Sequence, residues 1–312
     1  MSRYFREISV AGVLGGLLVL LAIFAPTFFQ AQPMLSLATR EAPTLVVAAG
    51  MALVIICRQV DISVGSQFAV CGVAAGLLAE QHWPLALVAL CAVALGTVMG
   101  ACNGALVAGL RLPSIVVTLA TMVAWREGLR WWRQGQFVDL PDGMQWFGLT
   151  QTSGQVLLIS LALALVFVLA WAMRGLAWGR FVYAVGTDEE AARLAGLRPR
   201  WVTLATFVLM GGLTGLAAMM NALQSPQVDP KSGSGLELRA IAAVVVGGVA
   251  ISGGRGNLWG VLAGALLLVC VGPALTHLHV EAYWARAIEG GVILLAVVAD
   301  GLRSRSWVLK RE

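Results

Sequence analysis

Few side chains in this sequence are of types and spacings that do covalent chemistry. There are three histidines, and His277 and His279 stand two apart, so on a helix they would face different sides. The five cysteines, Cys57, Cys71, Cys91, Cys102 and Cys270, all lie in apolar stretches without CxxC or other metal spacing. That pattern predicts buried free thiols. No nucleophile–base pair or metal cluster falls within the apolar runs, which argues against an intramembrane enzyme. Ser252-Gly253-Gly254-Arg255-Gly256 is glycine-rich but has no lysine and no preceding buried strand, so it reads as a tight turn and not as a phosphate loop. No catalytic residue, cofactor or metal is expected, and any ATP the protein depends on must be hydrolysed by another chain.

The polar groups set among apolar residues point to transport. Asp61 is the main one, because an ionisable group in a membrane span is costly unless paired and often marks a pathway. Arg58 stands three residues earlier, so a continuous helix would pair the two. Asp61 is then either half of an ion pair fixing a broken helix or a group on the solute path. Ser63, Asn103, Thr118 and Asn221 complete the candidate pathway. Ser63 and Ser66 also suit capping of the next helix, and Asn103, Thr118, Thr121 and Asn221 suit hydrogen bonding between helices.

A second group lies in Thr187-Asp188-Glu189-Glu190-Ala191-Ala192-Arg193-Leu194-Ala195-Gly196-Leu197-Arg198-Pro199. Thr187 followed by Glu190 is a capping-box pattern. Asp188, Glu189 and Glu190 put negative charge at the positive end of the helix dipole. Gly196 can adopt the left-handed conformation that ends a helix, and Pro199 blocks continuation. The spacing predicts a helix of about two turns over 188–195, too short to be stable without a docking surface.

The elements that carry these groups follow from composition. Apolar residues make up 59% of the 312 and charged residues 12%, with a net charge of +5. So little polar surface means that lipid is the solvent for most of the chain. The arginines lie between apolar runs, which favours membrane anchoring over nucleic acid. About ten spans are predicted, near 8–29, 43–57, 62–81, 84–110, 113–132, 155–173, 201–223, 236–251, 257–276 and 284–302. The first run is too long for a typical signal peptide. The second, third and eighth are short or polar and are expected inside the bundle. Basic residues at the N-terminus (Arg3, Arg6), over 174–200 and at the C-terminus put those segments on the cytoplasmic side. Arg126, Arg130 and Arg133 run against that rule beside the interfacial Trp131 and Trp132. On this topology Ser225–Gly235 is an extracytoplasmic loop whose Gln227, Asp229 and Lys231 are candidates for docking a binding protein. The expected fold is thus an all-α integral membrane protein, one domain over 1–312 with a cytoplasmic coupling loop at about 174–200.

Glu190-Ala191-Ala192, with Gly196 four residues later, resembles the coupling loop of ABC importer permeases. Four further stretches resemble the ribose/rhamnose/autoinducer-type branch of sugar permeases. The first runs from Gly50-Met51-Ala52-Leu53-Val54-Ile55 into Val60-Asp61-Ile62-Ser63-Val64-Gly65-Ser66. The second is Asn103-Gly104 with Leu112-Pro113-Ser114-Ile115-Val116-Val117-Thr118-Leu119. Gly179-Arg180-Phe181-Val182-Tyr183-Ala184-Val185-Gly186 is the third. The fourth runs from Gly235-Leu236-Glu237-Leu238 to Ser252-Gly253-Gly254-Arg255-Gly256. The resemblance implies two permease copies (alike or different), two cytoplasmic ATP-binding cassette subunits and an extracytoplasmic solute-binding protein. It also implies import of a small sugar-like solute such as a pentose, rhamnose or an autoinducer-2-like molecule. On it, Asp188, Glu189, Glu190, Ala191, Ala192 and Gly196 couple the permease to the ATPase. Cys57-Arg58-Gln59 departs from the glycine-rich ribose type. Two alternatives stay open, a branched-chain amino acid permease of the same superfamily and an ion-coupled secondary transporter.

Overall fold

A computed structural model describes residues 5–24 and 26–277, with isolated positions further on. Helices dominate it. They are α1 (Phe5–Phe24), α2 (Ala31–Ile56), α3 (Val64–Glu80), α4 (Leu85–Gly104), α5 (Ser114–Arg133), α6 (Gln151–Gly175), α7 (Ala177–Thr187), α8 (Glu189–Leu194), α9 (Pro199–Ala222), α10 (Leu236–Val246) and α11 (Leu258–His277). A π-helical stretch, Ala105–Gly109, prolongs α4. Among the described residues, four helices are long and apolar enough to cross a membrane: Ala31–Ile56, Leu85–Gly109, Gln151–Gly175 and Pro199–Ala222. The chain is a polytopic membrane protein.

α2 is the centre of the bundle. From Val46 to Ile56 every side chain is buried or half-buried, as a helix apolar on all faces requires. It packs on α9, α6 and α10. The sequence predicts a span only over 43–57, but the helix starts at Ala31. The earlier part carries Gln32, Ser36, Thr39, Arg40 and Glu41, which lower its hydropathy. These groups find partners along the helix or on α6: Gln155 donates to Ser36 Oγ at 3.3 Å and accepts from Gln32 at 3.4 Å. Thr39 Oγ donates to the Leu35 carbonyl at 2.7 Å.

α4 and α9 pack closely. Gly96 and Gly100 on α4 face Gly211 and Gly215 on α9, backbone against backbone, and Gly104 meets Leu204 and Phe207. Such small-residue seams let membrane helices associate by dispersion where lipid supplies no hydrophobic drive.

The third and eighth predicted spans are α3 and α10, both largely buried as expected. α10 stops at Val246, short of the predicted 251, because Gly247 closes it and Gly248 turns to φ 88°. The all-α expectation needs one amendment. Two short strands, β1 (Val138–Asp139) and β2 (Gln227–Val228), pair antiparallel and tie the α5–α6 and α9–α10 connections together. Cys57, Cys71 and Cys270 are buried and free, but on α4 Cys91 is only half-buried and Cys102 is exposed, which corrects the prediction for those two thiols. The tenth predicted span, 284–302, lies outside the described residues.

Candidate functional site

α2 ends at Ile56 and α3 begins at Val64, leaving seven residues of non-helical chain between two buried helices. Asp61 sits in this break, fully buried. Its Oδ1 accepts from the Ser63 amide at 2.9 Å and the Ser63 hydroxyl at 2.5 Å, and its Oδ2 from Gln67 at 3.3 Å. The carboxylate thus serves the open amides at the start of α3 and meets the positive end of that helix. Gln67 and Asn103 both donate to Ser63 Oγ, at 2.7 and 2.8 Å. Thr118 donates to the Val60 carbonyl at 3.4 Å, and Ser114 Oγ accepts from the Val60 amide at 3.2 Å. One polar knot therefore binds the break to α3, α4 and α5.

Two sequence expectations fail here. Arg58 does not pair with Asp61, because the helix has already ended and three-residue spacing no longer brings side chains together. Arg58 is exposed instead, in the left-handed region at φ 63°. Ser63 occupies the N-cap position without making a side-chain cap, since its hydroxyl goes to Asp61, and Ser66 bonds back to the Ser63 carbonyl at 2.7 Å. Of the candidate pathway residues, Asp61, Ser63 and Asn103 come together and Thr118 adjoins them. Asn221 stands apart near the end of α9. Asp61, Ser63, Asn103 and Thr118 are each wholly shielded from solvent, so this cluster is a buried joint and not an open channel wall in the conformation described.

A second polar pair lies against the first turn of α3, at Gly65. Glu237, in the first turn of α10, faces Arg126 of α5 at 3.8 Å. The sequence reading names neither as a pathway group; Arg126 stands in it only as a charge that runs against the orientation rule. Glu237 carried a usable signal, since a carboxylate in a short apolar run is as anomalous as Asp61.

The predicted short helix is present as α8, with Gly196 left-handed at φ 86° and Pro199 opening α9. Its cap differs from the prediction. Asp188, not Thr187, is the N-cap and accepts from the Ala191 amide at 3.0 Å. Thr187 belongs to the end of α7 and bonds back to the Tyr183 carbonyl at 2.8 Å, so the Thr187–Glu190 capping box does not form. Glu190 pairs with Arg193 at 2.5 Å. Ala192 alone is buried. Glu189, Glu190, Ala191 and Gly196 are exposed, and Leu194 is 79% exposed at the tip. The sequence reading missed Leu194, and it missed α7.

α7 holds α8 in place through one close approach. Gly186 lies so near the Ile56 carbonyl that any Cβ would overlap it, and the Gly254 amide donates to that same carbonyl at 2.8 Å. Tyr183 donates to the Gly256 carbonyl at 2.8 Å. The glycine-rich segment 252–256 is thus the tight turn predicted, with Gly253 and Gly254 at φ 83° and 68°.

In the loops of the opposite end, Gln227 bonds Asp139 at 2.6 Å across the strand pair and Asp229 Oδ1 accepts from the Lys231 amide at 2.8 Å. Gln227 and Lys231 are exposed.

A family model described as branched-chain amino acid transport system / permease component matches residues 33–297. The chain belongs to that family. Among curated relatives, this permease is 35% identical over 297 residues to the autoinducer 2 import system permease protein of Klebsiella pneumoniae, covering 95% of this chain and 86% of that one. It is 32% identical over 297 residues to the protein of the same description from Salmonella typhi, with the same coverage. It is 35% identical over 294 residues to the ribose import permease protein of Escherichia coli, covering 91% of each. No solved structure matches it.

Proposed function

We propose that this permease is the membrane-spanning subunit of an ATP-driven importer that moves a small sugar or sugar-like solute into the cytoplasm by alternating access. The observation that carries the reading is α8, a capped helix that exposes Glu189, Glu190 and Leu194 on a strut wedged against the end of α2. A helix of six residues does not hold itself together in water, and its exposed face suits a groove on a cytoplasmic ATPase. Asp188 caps it, Ala191 and Ala192 keep its waist narrow, and Gly196 turns the chain back into α9. The relatives that import ribose and autoinducer 2 favour a polyhydroxylated solute over an amino acid.

In this reading ten spans form one domain over 1–312, with both termini and the 174–200 segment in the cytoplasm. A second permease copy completes the pathway, two ATP-binding cassette subunits dock on α8, and a solute-binding protein approaches Gln227, Asp229 and Lys231. ATP binding pushes α8, α7 carries the push to Ile56, and the break around Asp61, Ser63, Asn103 and Thr118 rearranges. Asn221 remains a candidate contact for solute near the outer end of α9.

Co-purification in detergent with the partner ATPase tests the reading. The native chain retains the ATPase, whereas Gly196→Asp and the Glu189→Ala/Glu190→Ala double variant lose it or lose solute-stimulated hydrolysis. Uptake by the native chain in ATPase-free liposomes under an ion gradient would overturn the proposal in favour of a secondary transporter.

A further inference from the structure

Gly65 is the second residue of α3 and Glu237 the second residue of α10, so the starts of two buried helices meet at one point. They can meet because Gly65 has no side chain. A Cβ there would overlap Glu237 Oε2 and the Gly233 carbonyl, and would stand 3.1 Å from Arg126 Nη2. The Glu237 side chain is only 9% exposed and that of Arg126 34%.

The two charges are not in hydrogen-bond contact. Arg126 Nη2 and Glu237 Oε2 are 3.8 Å apart, beyond the 2.7–3.2 Å of an N–H···O bond. Among the described residues, neither atom has any other hydrogen-bond partner. Opposite charges held this far apart and otherwise unsatisfied are a poor structural tie, because burial costs both ions and the attraction returns little without hydrogen bonds. They are well arranged for a guest. A hydroxyl group accepts and donates through the same oxygen, so it can take a bond from Arg126 and give one to Glu237. An apolar group satisfies neither, and a carboxylate would repel Glu237.

We infer that Arg126 and Glu237 form a hydroxyl-recognising site for a neutral polyhydroxylated solute, placed where α3 and α10 begin. The inference rests on the importer reading and names where within it the solute is held. Arg126 supplies the donor and Glu237 the acceptor, and Gly65, lacking a side chain, lets the carboxylate come this close to the start of α3. Both facing atoms are closed to solvent in this conformation, so a solute reaches them when the helices around them move apart. The Asp61 knot lies at the same helix start, so filling or emptying the gap bears on the first turn of α3.

The test uses the permease assembled with its ATPases and binding protein in proteoliposomes, with radiolabelled D-ribose and autoinducer 2 as probes. Glu237→Gln removes the charge with the shape kept. Glu237→Asp keeps the charge and withdraws the carboxylate by about one C–C bond, roughly 1.5 Å. Both are expected to lower uptake of the transported probe roughly ten- to a hundred-fold, the loss of one charge-assisted hydrogen bond. Melting temperature and ATPase assembly stay at native values for Glu237→Asp. The exchanged pair Arg126→Glu/Glu237→Arg restores melting but not uptake. If uptake follows melting through the series and the exchanged pair restores both, the pair is only a tie between helices. A native assembly that couples to ATP but accumulates neither probe refutes the solute class. One that never binds its ATPase refutes the importer reading, and the site assignment falls with it.

Discussion

Replacing Gly211 by alanine measures how closely α4 and α9 must approach. A Cβ on Gly211 would overlap the Gly96 carbonyl oxygen and stand 2.9 Å from both the nitrogen and the Cα of Gly100, where ordinary contact begins at 3.4 Å. All of these are backbone atoms of a packed helix, so no rotamer change relieves the clash. The Gly96 oxygen sets the requirement, so the helices must part by about an ångström or more along the seam. Over-packing of this kind costs roughly 1–3 kcal/mol, against a gain of at most about 1 kcal/mol from alanine's better helix propensity. Melting of the purified chain in detergent, followed by a thiol-reactive dye that reaches the buried Cys57 and Cys71 on unfolding, is the assay. A net loss of one to two kcal/mol corresponds to a fall on the order of 5 °C. Gly128→Ala is the control, since nothing lies within 4 Å of a Cβ there, and it is expected to leave melting unchanged or slightly raised. A Gly211→Ala chain that melts at or above the native temperature would refute the close seam.

Two further outcomes are expected. Asp188→Ala removes the cap of α8 and costs that helix about 1 kcal/mol; the amides of Ala191 to Leu194 should exchange hydrogen faster and ATPase co-purification should weaken, with global melting unchanged. Asp61→Ala strips the Ser63 amide and hydroxyl of their acceptor in a fully buried site, at about 1–3 kcal/mol for each stranded group; a large loss of melting temperature is expected, and native melting would show that the knot does not hold the break.

Much of this architecture was legible because lipid imposes a simple rule. Long apolar runs such as those around Leu158 and Phe207 had only one way to satisfy their backbone. What escaped were places where polarity hides inside a helix or where the helix stops early. The first part of α2, 31–42, falls outside the predicted span because Arg40 and Glu41 depress its hydropathy, yet they pair with each other at 3.5 Å. The cap of α8 was misplaced by one residue because Thr187 and Asp188 are both competent caps, and only the length of α7 decides between them. Asp61 stood out and Glu237 did not, although both are carboxylates in apolar surroundings. Its partner Arg126 is far away in sequence, and no spacing rule connects α5 to α10. The Arg58–Asp61 pair failed for the opposite reason, since proximity in sequence says nothing once the helix between them has ended.

The Ile56 carbonyl is touched by α7 through Gly186 and by the α10–α11 turn through the Gly254 amide. Two segments remote in sequence thus bear on one oxygen atom of a third, with no side chain between them. Side chains are the compliant parts of a protein, able to change rotamer and absorb displacement. A bearing made of backbone alone has no such slack. In the proposed coupling, a stroke applied at α8 therefore reaches the end of α2 with little loss, and the helix answers as a crank answers its rod. The same stiffness makes the joint intolerant, because a single methyl group added at Gly186 fills the clearance on which the stroke depends.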